Sequence, residues 1–432
     1  MRFRLARITT RAVNALSRRL GRGQGTVAGG RVGLAIDHRL LEHLTAKRAV
    51  ALVTGTNGKT TTTRLLTVAL SAGAGAAADD GAHVVLSNET GSNMPAGHVA
   101  ALVGGDLTAP AVLEVDEIYL SRVLAATSPT TVVLLNLSRD QLDRTNEVRM
   151  VAGRWRAALA AAPHTRVVAN ADDPLVAWGA GAAAQVDWVA AGLGWQLDAV
   201  GCPSCDASIT FTSADDGGGW FCGTCGFARP VPTAALDLSA GSSPARARWA
   251  DGRTYEFALA LPGRFNDANA LMAAVAATHQ GIEPADAFAA MAAVEHVAGR
   301  FATRPVGGVP ARLMLAKNPA GWSELLALVG DDNGPLVVAI NARTADGADP
   351  SWLWDVPFER LAGRGVVATG DRCRDLSVRL KYAGVTHVME EDRATAVATA
   401  VAMGSPSANG SHPVDVIGNY TAFHDFLVLG SH

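Results

Sequence analysis

Apolar positions fall along this chain in short unbroken runs rather than in strict alternation. The clearest is Ala49–Val53 (AVALV), which ends in a Gly-rich turn and is followed by Leu65, Leu66, Ala69 and Leu70 at helical spacing. That pattern predicts strand, loop, helix. The runs Ala111–Val115, Thr131–Leu135 and Arg166–Ala169 predict further buried strands, with a helical stretch over Val151–Ala162. Strands of this kind alternating with helices imply a parallel sheet covered on both faces, so the fold class is α/β. Residues 200–230 break the pattern with Cys pairs, glycines and a few aromatics and read as an insertion. Helical periodicity returns at 266–294. A second α/β alternation has strands at Arg312–Ala316, Leu336–Ile340, Gly365–Thr369 and Val414–Ile417. Pro305 and two glycines break the pattern within Arg300–Val309 and place the domain boundary there.

Composition changes this picture little. A chain of 432 residues with 49% hydrophobic and 18% charged residues and a net charge of -3 is ordinary for a globular protein of two or three domains. No global charge argues for nucleic acid. The apolar runs are too short and too often broken by glycine to span a bilayer. One segment stands out: residues 2–22 carry seven arginines and no acid, without the apolar stretch of a secretory signal. Two readings stay open for it, a basic amphipathic helix touching an anionic membrane, or a helix packed on the body with a solvated Arg face. The expected location is cytoplasmic, at the inner face of the membrane under the first of these readings.

The first candidate chemistry is the turn after Val53. A general P-loop, GxxxxGK[ST], would need glycine at position 53; what stands is Gly55-Thr56-Asn57-Gly58-Lys59-Thr60-Thr61. The physics is the same. Glycines let backbone N–H groups wrap phosphate oxygens, and the following helix N-terminus adds positive potential. Lys59 can reach the β- and γ-phosphates of ATP, and the Thr60 or Thr61 hydroxyl can hold Mg²⁺.

The second is Cys202-Pro-Ser-Cys205, then sixteen residues, then Cys222-Gly-Thr-Cys225. Two CxxC knuckles at this separation fit a closed tetrahedral zinc ribbon, with a hairpin between them. Four thiolate ligands leave no open position, so the zinc is structural. The competing reading, two redox dithiols, has nothing thioredoxin-like around it. Between 200 and 228 there is no Lys or Arg, which argues against a nucleic-acid ribbon.

TGTNGKTT is similar to the signature of the Mur ligase family, ATP-dependent ligases that include the peptidoglycan amino-acid ligases. Other stretches resemble the family in the same order: Glu114-Val115-Asp116-Glu117, where the family places a metal-ligating acid; 136-NLSRDQLD-143; Asn170 with Asp172-Asp173-Pro174; Asn266 and Asn269, which in the family contact the nucleotide; Gly299-Arg300, whose arginine reaches phosphate; and Lys317-Asn318-Pro319. The resemblance covers about 46–432. It implies a central P-loop-type parallel-sheet domain over 46–300, with the zinc ribbon inserted at 200–228, and a C-terminal Rossmann-like α/β domain over 301–432, after a basic segment 1–45.

Three departures shape the expected activity. Gln141 stands where amino-acid-adding members have His. The chain has four lysines, Lys47, Lys59, Lys317 and Lys381, so none lies between 60 and 316 to serve as the family's carbamoylated metal bridge. Only about 45 residues precede the loop, too few for the usual UDP-sugar domain. With the Cys pairs, 87-SNETGSNM-94, 341-NARTADGADPSWLWD-355, 369-TGDRCRDLSVRLKYAG-384 and 418-GNYTAF-423, the chain resembles the branch of ligase subunits of lipid II isoglutaminyl synthase. These work with a GatD-type glutaminase.

That resemblance implies ATP-dependent amidation of the D-glutamate α-carboxyl in the lipid II stem peptide. The alternative is a Mur-type ligase adding an amino acid, and a third reading is a zinc-containing ATP-binding regulator. It also implies one essential aspartate in 346–355, facing the partner or the ammonia. Position favours Asp349 over Asp346 and Asp355; Asp355 also reads as a helix cap and Asp346-Gly347 as a turn. Trp352 and Trp354 read equally as partner surface and as core. Cys373 is left over from the zinc set, reads as a spare thiol, and has no nucleophile-elbow pattern around it.

Overall fold

The computed structural model describes residues 1–19, 26–77, 85–88, 92–139, 148–190, 192–212, 218–237, 244–295, 297, 301–330, 334, 336–403 and 413–430. The chain forms two compact units, one from Met1–Ser138 and Asn146–Glu295, the other from His296–His432 with Arg139–Thr145.

The first unit opens with three helices, α1 (Arg2–Arg19), α2 (Thr26–Ile36) and α3 (Leu40–Thr45). Its sheet then gathers β1 (Val50–Thr54), β2 (Leu86–Ser87), β3 (Ala111–Glu114), β4 (Thr131–Leu134), β5 (Arg166–Asn170) and β6 (Gln185–Ala190). These six pair in parallel. They are linked through α4 (Lys59–Ala77), α5 (Pro95–Leu102), α6 (Leu120–Thr127), α7 (Val148–Ala160) and α8 (Pro174–Ala180). Every residue of β1, β3 and β4 is buried, as continuous apolar runs in a doubly covered parallel sheet must be.

After β6 come the Cys-bearing hairpin β7 (Ile209–Thr212) and β8 (Gly219–Cys222), which form their own two-stranded sheet. The chain rejoins the large sheet with β9 (Ala234–Leu236), parallel to β6, and then β10 (Ala245–Trp249) and β11 (Thr254–Phe257). Helices α9 (Arg264–Thr278) and α10 (Pro284–Ala292) complete the unit. The nine strands run β11-β10-β9-β6-β5-β4-β1-β3-β2. The sheet is therefore mixed, not parallel throughout: β10 and β11 turn back as antiparallel edge strands. Their runs are short and polar-interrupted, and the turn between them rests on Gly252 at φ +90°.

The second unit is a six-stranded sheet, order β12-β13-β17-β14-β15-β16. Its strands are β12 (Phe301–Val306), β13 (Val309–Leu315), β14 (Leu336–Ala339), β15 (Val366–Thr369), β16 (His387–Met389) and β17 (Val414–Gly418). Helices α11 (Pro319–Val329), α12 (Cys373–Tyr382), α13 (Arg393–Met403) and α14 (Tyr420–Leu429) connect or flank them. Pro305, Gly307 and Gly308, which break the apolar pattern, shape a hairpin. Both glycines have positive φ, and Pro305 lies on the edge strand β12, where a missing N–H costs no ladder bond. From β14 the chain steps outward to β15 and β16, then crosses back to β17 on the other side of β14. The strand order thus reverses between β14 and β17, the place where such sheets open a ligand crevice at their carboxyl ends.

Candidate functional site

The Gly-rich loop expected to bind phosphate occupies 55–58, between the buried strand β1 and the start of α4. Gly55 (φ +142°) and Gly58 (φ +83°) hold conformations that side chains rarely adopt. A Cβ on Gly55 would lie 2.9 Å from Leu135 Cβ, and one on Gly58 2.5 Å from Asn269 Oδ1. The loop is a close-fitting cradle that only glycine satisfies. Asn136 braces it from the carboxyl end of β4: its Oδ1 accepts from Asn57 N (2.9 Å) and its Nδ2 donates to Asn57 O (3.1 Å). Thr56 Oγ1 accepts from Ser138 N and donates to Ser138 O, both at 3.0 Å.

Lys59 is buried, and its ammonium bonds to Gly55 O, to Thr56 O (3.1 Å) and to Glu117 Oε2 (3.0 Å). Two of these partners are carbonyls of the loop and the third lies just past β3, so a phosphate group approaching Lys59 has to displace carbonyls and loosen the ion pair with Glu117. Thr60 is half-buried and Thr61 buried, both at the first turn of α4. Glu114 closes β3 and is 3% exposed. Its backbone exchanges bonds with Asn88, and Asn93 Nδ2 approaches its Oε1 at 3.4 Å. Beneath it, fully buried His98 has Nε2 2.8 Å from Glu114 O, and burial pushes its imidazole down to about 4, so it is neutral at physiological pH. Asn266 and Asn269 lie buried on the first turns of α9, with Asn269 directly facing Gly58. Arg300 and Gly299 lie outside the described residues, as do Asp140–Asp143.

Residues 170–174 join this loop to the cysteine module. Asp173 caps α8, accepting from Leu175 N (2.9 Å) and Val176 N (3.2 Å), and it also accepts from Leu137 N at 2.8 Å. Burial raises its carboxyl to about 6 against those three donors. Asp172 bonds to Gly192 N (2.7 Å) and pairs with Arg229 (2.6 Å), and Trp220 Nε1 donates to Ala171 O (3.0 Å). Arg229 and Trp220 belong to the segment around the second Cys pair.

Within that module Cys202, Cys205, Cys222 and Cys225 place their four sulfurs within 4.8 Å of one another. Cys202 and Cys225 approach to 3.6 Å, Cys205 and Cys222 to 3.5 Å. Four ligands at zinc–sulfur bond length sit about 3.8 Å apart at the corners of a tetrahedron, so the donor set fits one such ion. The Cys225 N–H donates to Cys222 Sγ and holds it as thiolate, with its pKa pulled down to about 6. Trp220, Ile209 and Ala177 pack around the sulfurs.

In the second unit, Asp346 and Asp349 have different surroundings. Asp346 is buried; it accepts from Thr421 N (2.9 Å), from Thr421 Oγ1, and from Arg343 N (3.2 Å). It ties the loop after β14 to the first turn of α14. Asp349 is exposed, and N–H and O–H donation from Ser351 lowers its pKa. Asp355, half-exposed, ends the 3₁₀ turn Ser351–Asp355, in which Trp352 is buried against Trp322 and Trp354 is 55% exposed. Around the reversal point Asn341, Asn419, Asp425, Arg343, Asp371 and Arg393 form one polar network: Asn341 and Asn419 exchange bonds of 3.0 and 2.6 Å, and Arg343 bridges Asp371 and Asp425. Cys373 is buried at the start of α12, and burial raises its pKa.

Sequence reasoning singled out Glu114 but not Glu117 as the acid that meets Lys59; the signal was its place three residues past the same strand end. Asn136 and His98 were missed as supports because their partners lie far away in sequence.

Residues 53–193 match the Mur ligase middle domain and residues 315–423 the MurT ligase C-terminal domain. The chain is 28% identical, over 84% of its own length and 83% of the relative's, to "Lipid II isoglutaminyl synthase (glutamine-hydrolyzing) subunit MurT" of Streptococcus pneumoniae. It is also 28% identical to the protein of the same name in Staphylococcus aureus, over 98% of this chain and 95% of that one. Among solved structures it superposes on a pseudomurein peptide ligase type C from Methanothermus fervidus with a TM-score of 0.65 at 20% identity, covering 91% of this chain and 81% of that one. MurF from Acinetobacter baumannii gives 0.63 at 14% identity, covering 93% and 80%. The last two likenesses establish the Mur ligase fold alone.

Proposed function

We propose that this chain, an ATP-dependent ligase built from a Mur ligase middle domain and a MurT-type C-terminal domain, amidates the α-carboxyl of D-glutamate in the lipid II stem peptide to give D-isoglutamine. The observation that carries the reading is a phosphate cradle of two positive-φ glycines and Lys59 in a chain similar to MurT subunits over most of its length. A carboxylate oxygen is a poor leaving group. ATP converts the carboxylate to an acyl phosphate with release of ADP; neutral ammonia adds to the carbonyl carbon, phosphate leaves with the C–O bond pair, and the amide nitrogen sheds a proton. The loop's N–H groups and Lys59 hold the transferring phosphoryl group, with Asn266, Asn269 and Arg300 on the nucleotide. Thr60, Thr61 and Glu114 are the residues to hold Mg²⁺, which when bound neutralises charge on the phosphates.

Free ammonia is almost wholly protonated at neutral pH, which favours a shielded source. Outside the four-cysteine cluster the sequence has only Cys373, buried with its pKa raised, the opposite of an activated nucleophile. A separate GatD-type glutaminase is therefore the proposed partner, with Asp349 as the accessible acid that faces it. Asp346 and Asp355 are its alternates. The four cysteines hold one structural zinc ion in a ribbon, and the second unit is Rossmann-like. The enzyme works in the cytoplasm, where its lipid-linked substrate is presented.

The competing reading, addition of an amino acid, draws support from 32% identity to "UDP-N-acetylmuramate--L-alanine ligase" of Frankia alni, although the match spans 41% of that protein. The test is release of phosphate from ATP with lipid II and either ammonium or amino acids as acceptor. Turnover with ammonium that is lost in Lys59→Ala supports amidation. Turnover with amino acids alone overturns it.

A further inference from the structure

Helix α1 leaves three of its large apolar side chains in solvent while burying two polar ones against the protein. Ala6, Thr10 and Asn14 are buried against α2, where glycines make room for them: a Cβ on Gly33 would lie 2.2 Å from Thr10 Oγ1, and one on Gly29 2.0 Å from Asn14 Oδ1. Both of those oxygens are buried without a hydrogen-bond partner. Meanwhile Leu5, Ile8 and Leu16 are 55%, 66% and 58% exposed. With Ala12 they recur at intervals of three and four, so they form one stripe along the outer face. Exposed arginines border it, with Arg4 and Arg11 along one side, Arg2 on the other and Arg19 at its end. Arg7 turns the other way and fixes the helix's rotation by donating to Val103 O (3.2 Å) and Gly105 O (3.1 Å).

A helix that only completed a core would bury Leu5, Ile8 and Leu16. We propose that the outer face of α1 docks on an anionic lipid surface, with those three residues entering the headgroup–acyl boundary and the bordering arginines pairing with lipid phosphates. Charge complementarity selects this occupant over a protein: residues 2–22 carry seven arginines and no acid in a chain whose net charge is -3, and the exposed Arg2, Arg4, Arg11 and Arg19 border a narrow apolar stripe. Docking would bring the ligase to a lipid-linked substrate, and to that extent it deepens the function proposed above. The binding itself is independent of that function.

The full chain would be co-sedimented with vesicles containing phosphatidylglycerol and with vesicles of phosphatidylcholine alone, neither holding lipid II, so that failure here is distinct from failure of amidation. Preferential pelleting with the anionic vesicles, weakened by salt, is expected. Leu5→Ser, Ile8→Ser and Leu16→Ser together should cut partitioning by about tenfold or more while leaving melting temperature and ATP binding unchanged. Arg4→Ala and Arg11→Ala should each cost roughly fivefold, on anionic vesicles only. Equal pelleting of the triple variant, or equal binding to both vesicle types, would overturn the proposal. So would a wild-type dimer in light scattering that the serine variant makes monomeric, since the stripe would then be covered by a second copy.

Discussion

Asp173→Ala tests whether the phosphate loop is held from a distance. The wild-type carboxylate is 1% exposed and accepts three backbone N–H bonds, two in the first turn of α8 and one from Leu137. Alanine removes the cap, worth about 1 kcal/mol. It also leaves the Leu137 N–H buried and unpaired, worth about 2 kcal/mol. The sum of about 3 kcal/mol lowers the melting temperature of a unit this size by roughly 6–12 °C. The gap should depend on pH. Because burial raises the folded-state pKa to about 6 from 3.8, Asp173's contribution is fully present below 3.8 and is lost as pH rises through 6. Wild type and variant should therefore differ more in melts near pH 4.5 than at pH 7.5. Leu137 sits between Asn136 and Ser138, the two residues that grip Asn57 and Thr56, so ATP affinity should fall by about tenfold, or 1.4 kcal/mol. Asp172→Ala is the control: it releases Arg229 and Gly192 but not Leu137, and should leave ATP affinity unchanged. A variant Asp173→Ala that melts with wild type and binds ATP as tightly would refute the mechanical link.

Other outcomes follow from the same geometry. Gly58→Ala, strained at φ +83° and driven against Asn269, should weaken ATP binding by at least tenfold in a nucleotide titration while shifting the melt by only a few degrees. Asp346→Asn should lower the melting temperature because the buried carboxylate accepts from three donors that an amide cannot all satisfy, whereas Asp349→Asn should melt like wild type yet stop glutamine-dependent amidation; normal amidation by Asp349→Asn would shift the role to a neighbour. Elemental analysis should find about one zinc per chain, and Cys222→Ser should lose it together with thermal stability. His98, with its folded pKa depressed to about 4, contributes stability above 6.5 that is lost as pH falls through 4. His98→Gln should flatten that acid limb in pH-dependent melts, unmasking the opposite trend of Asp173.

Where structure follows from contiguous residues, the sequence announces it. The runs 49–53, 111–115 and 131–135 are strands, because a doubly covered parallel sheet leaves no polar position to interrupt them. The spacing of four cysteines foretold their convergence. The far margin of the large sheet was illegible: β9, Ala234–Leu236, which links β6 to the antiparallel pair β10 and β11, is three residues long and carries no periodicity. Pro305 lies within a strand after all, since the same residue that breaks an inner strand is harmless on an edge. Distant supports were also hidden. Nothing near Asn57 points to Asn136, and the contrast between buried Asp346 and exposed Asp349 depends on Thr421, seventy-five residues away from Asp346.

Strands β6 and β9 lie side by side in parallel, and what connects them is the cysteine module. Such a crossover between parallel neighbours is ordinarily made by a helix, whose apolar face covers the strands by itself. Here a small apolar cluster of Ile209, Trp220 and Ala177 takes that place, with the sulfurs of the two Cys pairs gathered beside it. If those sulfurs hold an ion, as proposed, a chain made without it would carry an unsettled margin where β9, β10 and β11 join the sheet.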